Sequence, residues 1–373
     1  MKKERMASME LLRIIAMGMV IMLHYLSKGK VLPAMTGPIT ANGYVAWILE
    51  TFCIVAVNVY MLISGYFLVE SRFRCSRLIQ LLCQILFYSV LIPVFLLAAG
   101  ILKVQDLTIY QLLQYAFPTQ MEHYWFATAY VMMYLMTPVF RTAVHRMSKK
   151  QLQVTIALLL IFLSLNKSVL PVRLTIDELG YDVIWFLCVF LCAAYMRLYG
   201  IRFFAFGARG WFGYLAGCGA ILGITFAIRF LYLKTGMFED FLIAAYHYNH
   251  ILNLFAAMGL FYGFYHWKLP QGRVAKLIVK CAPYTFGVYL LHEHLEIRYL
   301  WPKWLSVSAE GNPMVFAVRS VATVLIVLII GLIIDWIRSI LFKLIGFILK
   351  KTKVTCYLEK IDEIMNVSEQ KQA

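Results

Sequence analysis

The sequence predicts an all-α protein, a polytopic transmembrane helical bundle of about ten spans with both termini in the cytoplasm. Three observations carry that prediction. Of the 373 residues, 62% are hydrophobic and 14% charged, whereas a soluble domain is roughly 45–50% apolar and about 25% charged. Ten stretches approach the roughly 20 apolar residues that a helix needs to cross a bilayer. The basic residues alternate between successive loops as the positive-inside rule requires.

The first span, 10–27, follows Lys2, Lys3 and Arg5. Its start imitates a secretory leader. However, Arg13 and His24 interrupt the apolar run and no small-x-small cleavage site follows, so the stretch is read as a retained span. The others run 45–69, 78–102, 124–140, 152–166, 183–198, 211–233, 250–267, 277–292 and 314–337. An amphipathic segment, 340–349, then carries Lys343, Lys350 and Lys351 on or beside its polar face and is expected on the inner membrane surface. With the N-terminus inside, twenty-four Lys and Arg fall in cytoplasmic loops and eight outside, while Arg13, Arg229 and Arg319 lie within spans. Omitting any span would scramble this alternation. Residues 1–350 thus form one transmembrane domain and 351–373 a cytoplasmic polar tail, expected to be peripheral.

The net charge of +16 is spread between apolar runs. It therefore reports orientation against membrane lipid rather than nucleic-acid binding, for which no phosphate loop or aromatic-interleaved basic patch exists. The eight cysteines lie in apolar segments or cytoplasmic loops without CxxC spacing, so neither disulfides nor a zinc site is expected. No internal repeat or soluble domain is visible.

Charge inside a span points to function by default. Arg13 and His24 are eleven residues apart, about three turns, so they share one helix face about 16 Å apart along the axis. Glu10 lies one turn before Arg13. One face then carries an anion-binding group at the cytoplasmic end and a base in the outer half. The plain alternative is that Arg13 snorkels to headgroups and His24 is a hydrogen-bonded packing residue. In the loop after the second span, Arg74 and Arg77 are three apart and suit bidentate phosphate binding, although a positive-inside stop signal is the better reading of them taken without Arg13. The stretch from Asn58 to Leu68 contains Ser64, Gly65 and Tyr66, which read as close helix packing with an interfacial anchor. Ser64 lacks the GxSxG context of a nucleophile. Glu122-His123-Tyr124-Trp125 and Tyr289-Leu-Leu-His292-Glu293-His294 place histidines and acids near the outer surface. Aromatic belts account for Tyr124 and Trp125, and no metal site is expected from these histidines.

These residues resemble a known family. Arg13, ten intervening residues and His24 are similar to the Arg-x10-His signature of the membrane acyltransferase family 3. Asn58 to Leu68 resembles its second-span stretch ending in Ser-Gly-Tyr, and Arg74-Cys-Ser-Arg77 its cytoplasmic Arg-x-x-Arg. Tyr124-Trp-Phe to Thr137-Pro138 and Phe286-Gly-Val-Tyr-Leu-Leu-His292 resemble two further motifs in the same order. The resemblance implies transfer of an acyl group, commonly acetyl, from cytoplasmic acyl-CoA to a hydroxyl of a cell-envelope glycan or lipid-linked sugar, in a bacterial plasma membrane. It makes His24 the base or acyl relay, and Arg13, Arg74 and Arg77 the ligands of the CoA phosphates. The Arg13–His24 separation is on the scale of an extended pantetheine arm. Acetyl-CoA is then a donor substrate rather than a resident cofactor. Some members carry a hydrolase-like domain after the spans; this chain is expected to act without one, alone or with a separate envelope partner protein. Acyl transfer also needs an oxyanion donor, for which Tyr66, Asn58 and Trp125 are candidates, with Glu10, Ser64 and His292 in support. The competing reading is a polysaccharide export component without acyl transfer. Half-chain repeats with broken helices would mark a transporter, and the sequence shows none.

Overall fold

A computed structural model describes residues 5–121, 123–170, 178–349 and 354–366. Lys2, Lys3, Glu122, Arg173 and the remainder of the tail lie outside the described residues. Among those described, every regular element is a helix.

Helix α1 (Ala7–Lys28) is the axis of the bundle. Leu12, Ala16, Ile21, Tyr25 and Leu26 are fully buried, and the helix packs against α2 (Ala41–Cys53), α3 (Ala56–Leu68) and four later helices. The second predicted span is thus two helices, with a two-residue break at Ile54 and Val55. α4 (Cys75–Ala98) contains Pro93 and the short α5 (Ile109–Ala116) follows it. α6 (Trp125–Arg146) opens the fourth span. The fifth is α7 (Lys149–Leu160), a π-helical turn at Ile161–Leu165 and α8 (Asn166–Val169) in one continuous run.

α9 (Val183–Tyr199) is mostly buried and lies against α3. Gly65 makes that contact possible, because a Cβ there would meet Ala193 Cβ at 2.8 Å. α10 (Gly207–Thr235) and α11 (Ile251–His266) pack backbone to backbone through Gly210 and Gly259, as small residues allow in membranes. α12 (Arg273–Cys281) and α13 (Thr285–His292) are joined by a single tight turn and form the ninth predicted span. α14 (Leu300–Trp304) is short, α15 (Pro313–Leu349) spans 37 residues, and α16 (Val354–Asn366) ends the described chain.

Among the described residues, seven helical segments are long and apolar enough to cross a membrane. The other three predicted spans coincide with α6, α9 and α11, helices of 22, 17 and 16 residues. Large apolar side chains on α4, α7, α10 and α15 face outward: Phe95, Leu158, Phe212 and Ile329 are each more than half exposed. Lipid is the solvent that satisfies such a surface.

Two expectations change. The segment 340–349 does not leave α15 to lie along the membrane, since the helix continues unbroken through Leu349. The tail is not merely peripheral: α16 docks at the start of α4, where Asp362 Oδ1 accepts from Cys75 N–H at 2.5 Å and the Asn366 amide exchanges two bonds with the Phe73 backbone at 3.0 Å. A helix N-terminus leaves unpaired N–H groups that attract a carboxylate, a long-range pairing that residue patterns do not reveal.

The sidedness has a direct test. Single cysteines at Ser148 and Lys276 are expected to label only with a permeant reagent, and those at Gly236 and Ser308 with an impermeant one. Impermeant labelling of position 148 in sealed cells contradicts the orientation.

Candidate active site

One end of α1 carries the arginines. Arg13 Nη1 donates to both Glu10 carboxylate oxygens, at 3.3 and 3.2 Å. The Tyr60 hydroxyl donates to the Arg13 carbonyl at 2.7 Å, and the guanidinium lies 6.0 Å from the Phe67 ring. α3 runs on from there into the loop of Arg74 and Arg77, so the three arginines belong to the same end of the bundle. Arg74 and Arg77 are exposed at the first turn of α4, with the Arg74 backbone held by Tyr134. Among the described residues no hydrogen bond or ion pair joins them to Arg13.

Three turns along α1, His24 meets partners from the far end of the sequence. Its Nδ1 lies 2.9 Å from His292 Nε2 and 3.3 Å from Glu293 Oε2. His292 Nδ1 is 2.6 Å from the Val288 carbonyl, and a carbonyl only accepts, so that nitrogen carries the proton. A neutral His292 then presents a lone pair at Nε2 and accepts from His24 Nδ1–H. The remaining nitrogen of His24, Nε2, is left with its lone pair free to take a proton. Glu293 stands beside the ring to balance the charge that results. Its Oε1 is 4.0 Å from Lys28 Nζ and 3.7 Å from Arg298 Nη1. Burial pushes the Glu293 carboxyl above the usual carboxylate range, with Lys28 and Arg298 drawing it back.

Two buried donors next to this arrangement are unpaired among the described residues, where most buried polar groups find a partner. Tyr289 and Trp301 both lie beside the His292 ring, at centroid distances of 6.3 and 6.4 Å. Their O–H and Nε1–H donate to nothing among the described residues. Sequence reasoning missed Glu293 as a partner and both of these donors. The signal for Tyr289 was its place in the late Tyr-Leu-Leu-His stretch; Trp301 gave none beyond its aromatic character.

Asn58 and Tyr66, two of the donors proposed from sequence, have partners elsewhere. Asn58 uses both amide hydrogens, toward Tyr248 O at 2.8 Å and Asn253 Oδ1 at 3.3 Å, and its Oδ1 accepts from Trp185 Nε1 at 2.9 Å. It clamps α3 to α9 and α11. Tyr66 is buried toward the arginine end, against Phe261, Tyr265 and Arg197, which donates to its hydroxyl at 3.3 Å. Trp125 packs between Tyr181 and Tyr248. Ser64 is half-buried beside the Gly65 contact.

A second histidine cluster is structural. His123 Nε2 accepts from Leu295 N–H, so its Nδ1–H donates toward Ser89 Oγ at 3.2 Å and cannot serve Ser89 as a base. Ser89 in turn donates to the Tyr115 carbonyl. His294 Nδ1 accepts from Glu296 N–H and its Nε2–H faces the Ser89 carbonyl. Burial lowers His123 to about 4 and His294 to about 3, which keeps both neutral.

Another buried group went unread in the sequence. Asp335 on α15 forms a double hydrogen bond with Arg338 at 2.8 Å, and its Oδ1 also accepts from Gln84 and Tyr88 of α4. It abuts α13 at Gly287, where a Cβ would overlap the carboxylate. Arg338, one of the twenty-four basic residues assigned to cytoplasmic loops, is 5% exposed.

The model of one protein family, described as an acyltransferase domain, matches residues 6–333. No curated protein and no solved structure matches the chain.

Proposed function

Since this chain belongs to the acyltransferase family 3, whose domain takes in both ends of the α1 face, we propose that it moves an acetyl or similar acyl group from acyl-CoA to a hydroxyl of a cell-envelope glycan or lipid-linked sugar, in a bacterial plasma membrane. The observation that carries this reading is the His24–His292–Glu293 arrangement, three helical turns from Arg13.

In this mechanism the CoA phosphates rest against Arg13, Arg74 and Arg77, and the pantetheine arm runs along α1. His24 Nε2 takes the proton of the acceptor hydroxyl as its oxygen attacks the thioester carbonyl. His24 becomes an imidazolium, balanced by Glu293, while His292 Nε2 holds the ring by accepting from His24 Nδ1–H. Tyr289 O–H and Trp301 Nε1–H stabilise the oxyanion of the tetrahedral intermediate. Collapse breaks the C–S bond, and the thiolate leaves as the free thiol with the proton from His24. The ester stays on the acceptor. Glu10 holds Arg13 in register. No resident cofactor takes part in these steps.

The test is transfer of labelled acetyl from acetyl-CoA to envelope glycans by the purified protein in proteoliposomes, with release of CoA thiol measured in parallel. Wild-type protein is expected to give both. Absence of both with acetyl-CoA and with longer acyl-CoA donors favours the export reading. On the donor side, Arg74→Ala with Arg77→Ala is expected to weaken acyl-CoA binding about tenfold or more, each charge-assisted phosphate contact being worth about 1.5–3 kcal/mol. The Lys pair restores only part, because Lys lacks the planar fork. Unchanged affinity returns these arginines to the stop-signal reading.

A further inference from the structure

A cleft of about 390 Å³ opens at the histidine end of α1, lined by Lys28, Gly29, Lys30, Tyr299, Lys303 and Val307 among others. That size lies within the roughly 300–1,000 Å³ of small-ligand sites. Lys28 Nζ sits 5.2 Å and Arg298 Cζ 5.3 Å from the Tyr299 ring, so Arg298 borders the cleft. Four of the eight basic residues predicted on the outer side therefore gather in one place. Against them stands Glu293, which pairs with Lys28 and Arg298. Lys30 and Lys303 make no ion pair among the described residues.

The backbone is shaped to hold this cleft. α1 ends in a cap in which Lys30 N–H donates to Ser27 O and Val31 N–H to Leu26 O. The residue at the turn of such a cap is usually glycine, because it needs positive φ. Here it is Lys30, at φ 56, a conformation that carries an energetic cost for a residue with a Cβ. Gly29, one position earlier, lets the 305–308 segment lie against the helix end, since a Cβ there would sit 2.5 Å from Val307. A lysine side chain thus stands where the local geometry favours none.

We propose that this cleft binds an anionic group, phosphate or carboxylate, of the acceptor. The hydroxyl to be acylated then lies about one sugar residue inward, at His24, because Lys28 is one helical turn, about 6 Å, from His24. The assignment of the ligand as acceptor rests on the acyl-transfer reading; the anion site itself does not. The phosphate is carried either by a glycan or by a lipid-linked precursor, and the charge chemistry is the same.

The experiment uses full-length protein in nanodiscs of phosphatidylcholine. Binding of glucose 6-phosphate, glucuronate and the neutral methyl glucoside is measured by thermophoresis at low and high salt. Wild-type protein is expected to bind the two anions, more weakly as salt rises, and the neutral sugar at least tenfold less well. Lys30→Gly with Lys303→Gln is expected to weaken anion binding at least tenfold. Its melting temperature should stay at or above wild type, because glycine relieves the strained φ. Nanodiscs containing phosphatidylglycerol separate the sources: competition by that lipid identifies a lipid-borne phosphate, and its absence a glycan-borne anion. Equal binding of methyl glucoside, or anion binding unchanged in the double variant, overturns the proposal. Acyl transfer without anion binding sinks this inference alone. Charge-dependent anion binding without acyl transfer leaves the cleft standing and sinks the acyl-transfer reading.

Discussion

Replacing His24 with Gln is expected to abolish acyl transfer while the protein inserts and melts like wild type. Gln keeps a polar side chain of similar reach and one N–H to offer His292 Nε2, but it has no group that can take a proton at the acceptor hydroxyl. Loss of a general base costs about 10² to 10⁴-fold in rate, and the arrangement around His24 sets the expectation at the upper end. His292 already donates to Val288 and accepts from His24, so it cannot substitute without giving up its own orientation. Acyl-CoA affinity should not change, because the arginines lie three turns away. The readouts are labelled acetyl transfer, CoA binding and melting temperature for the same preparation. A His24→Gln protein that transfers at the wild-type rate removes His24 from the chemistry and favours the export reading.

The second large effect concerns stability. Asp335→Ala is expected to destabilise the bundle by about 3–5 kcal/mol, the usual consequence of leaving one partner of a buried ion pair alone. Arg338 loses both of its hydrogen bonds, and Gln84 and Tyr88 lose their shared acceptor. The gap opens against α13, which carries His292 at its end, so activity falls with stability. Replacing both members, Asp335→Leu with Arg338→Met, should recover much of the loss, since a packed apolar pair is often as stable as a buried ionic one. The check is the denaturation midpoint in detergent micelles. A midpoint for Asp335→Ala equal to wild type shows that this network holds nothing together.

Much of the architecture follows from local pattern. Apolar runs and alternating loop charge locate every predicted span on helical segments, and the spacing of Arg13 and His24 alone places them on one face. What the pattern misses are encounters between distant segments. His24 and His292 are 268 positions apart, and nothing in either local sequence says that the first and ninth spans touch there. Asp335 was hidden for a different reason. Followed by Arg338 at the end of an apolar run, it resembles the polar boundary of a span, and only the approach of α4 and α13 makes it a buried junction. Polarity in a sequence does not tell whether a donor is already used. Asn58 is fully engaged, whereas Tyr289 and Trp301 are not. The Ser64-Gly65 packing reading fared better at Gly65, since small residues have few roles inside a membrane.

The central claim is directional: an acyl group enters at the arginine end of α1 and leaves at the histidine end. Sealed proteoliposomes with the protein in one known orientation test it most directly. Labelled acetyl-CoA is supplied on one side only and a membrane-impermeant glycan acceptor on the other. The account predicts label on the acceptor when acetyl-CoA faces Arg74 and Arg77 and the acceptor faces Lys28, and none when the two are exchanged. Equal transfer in both arrangements, or transfer only when donor and acceptor share a side, contradicts it.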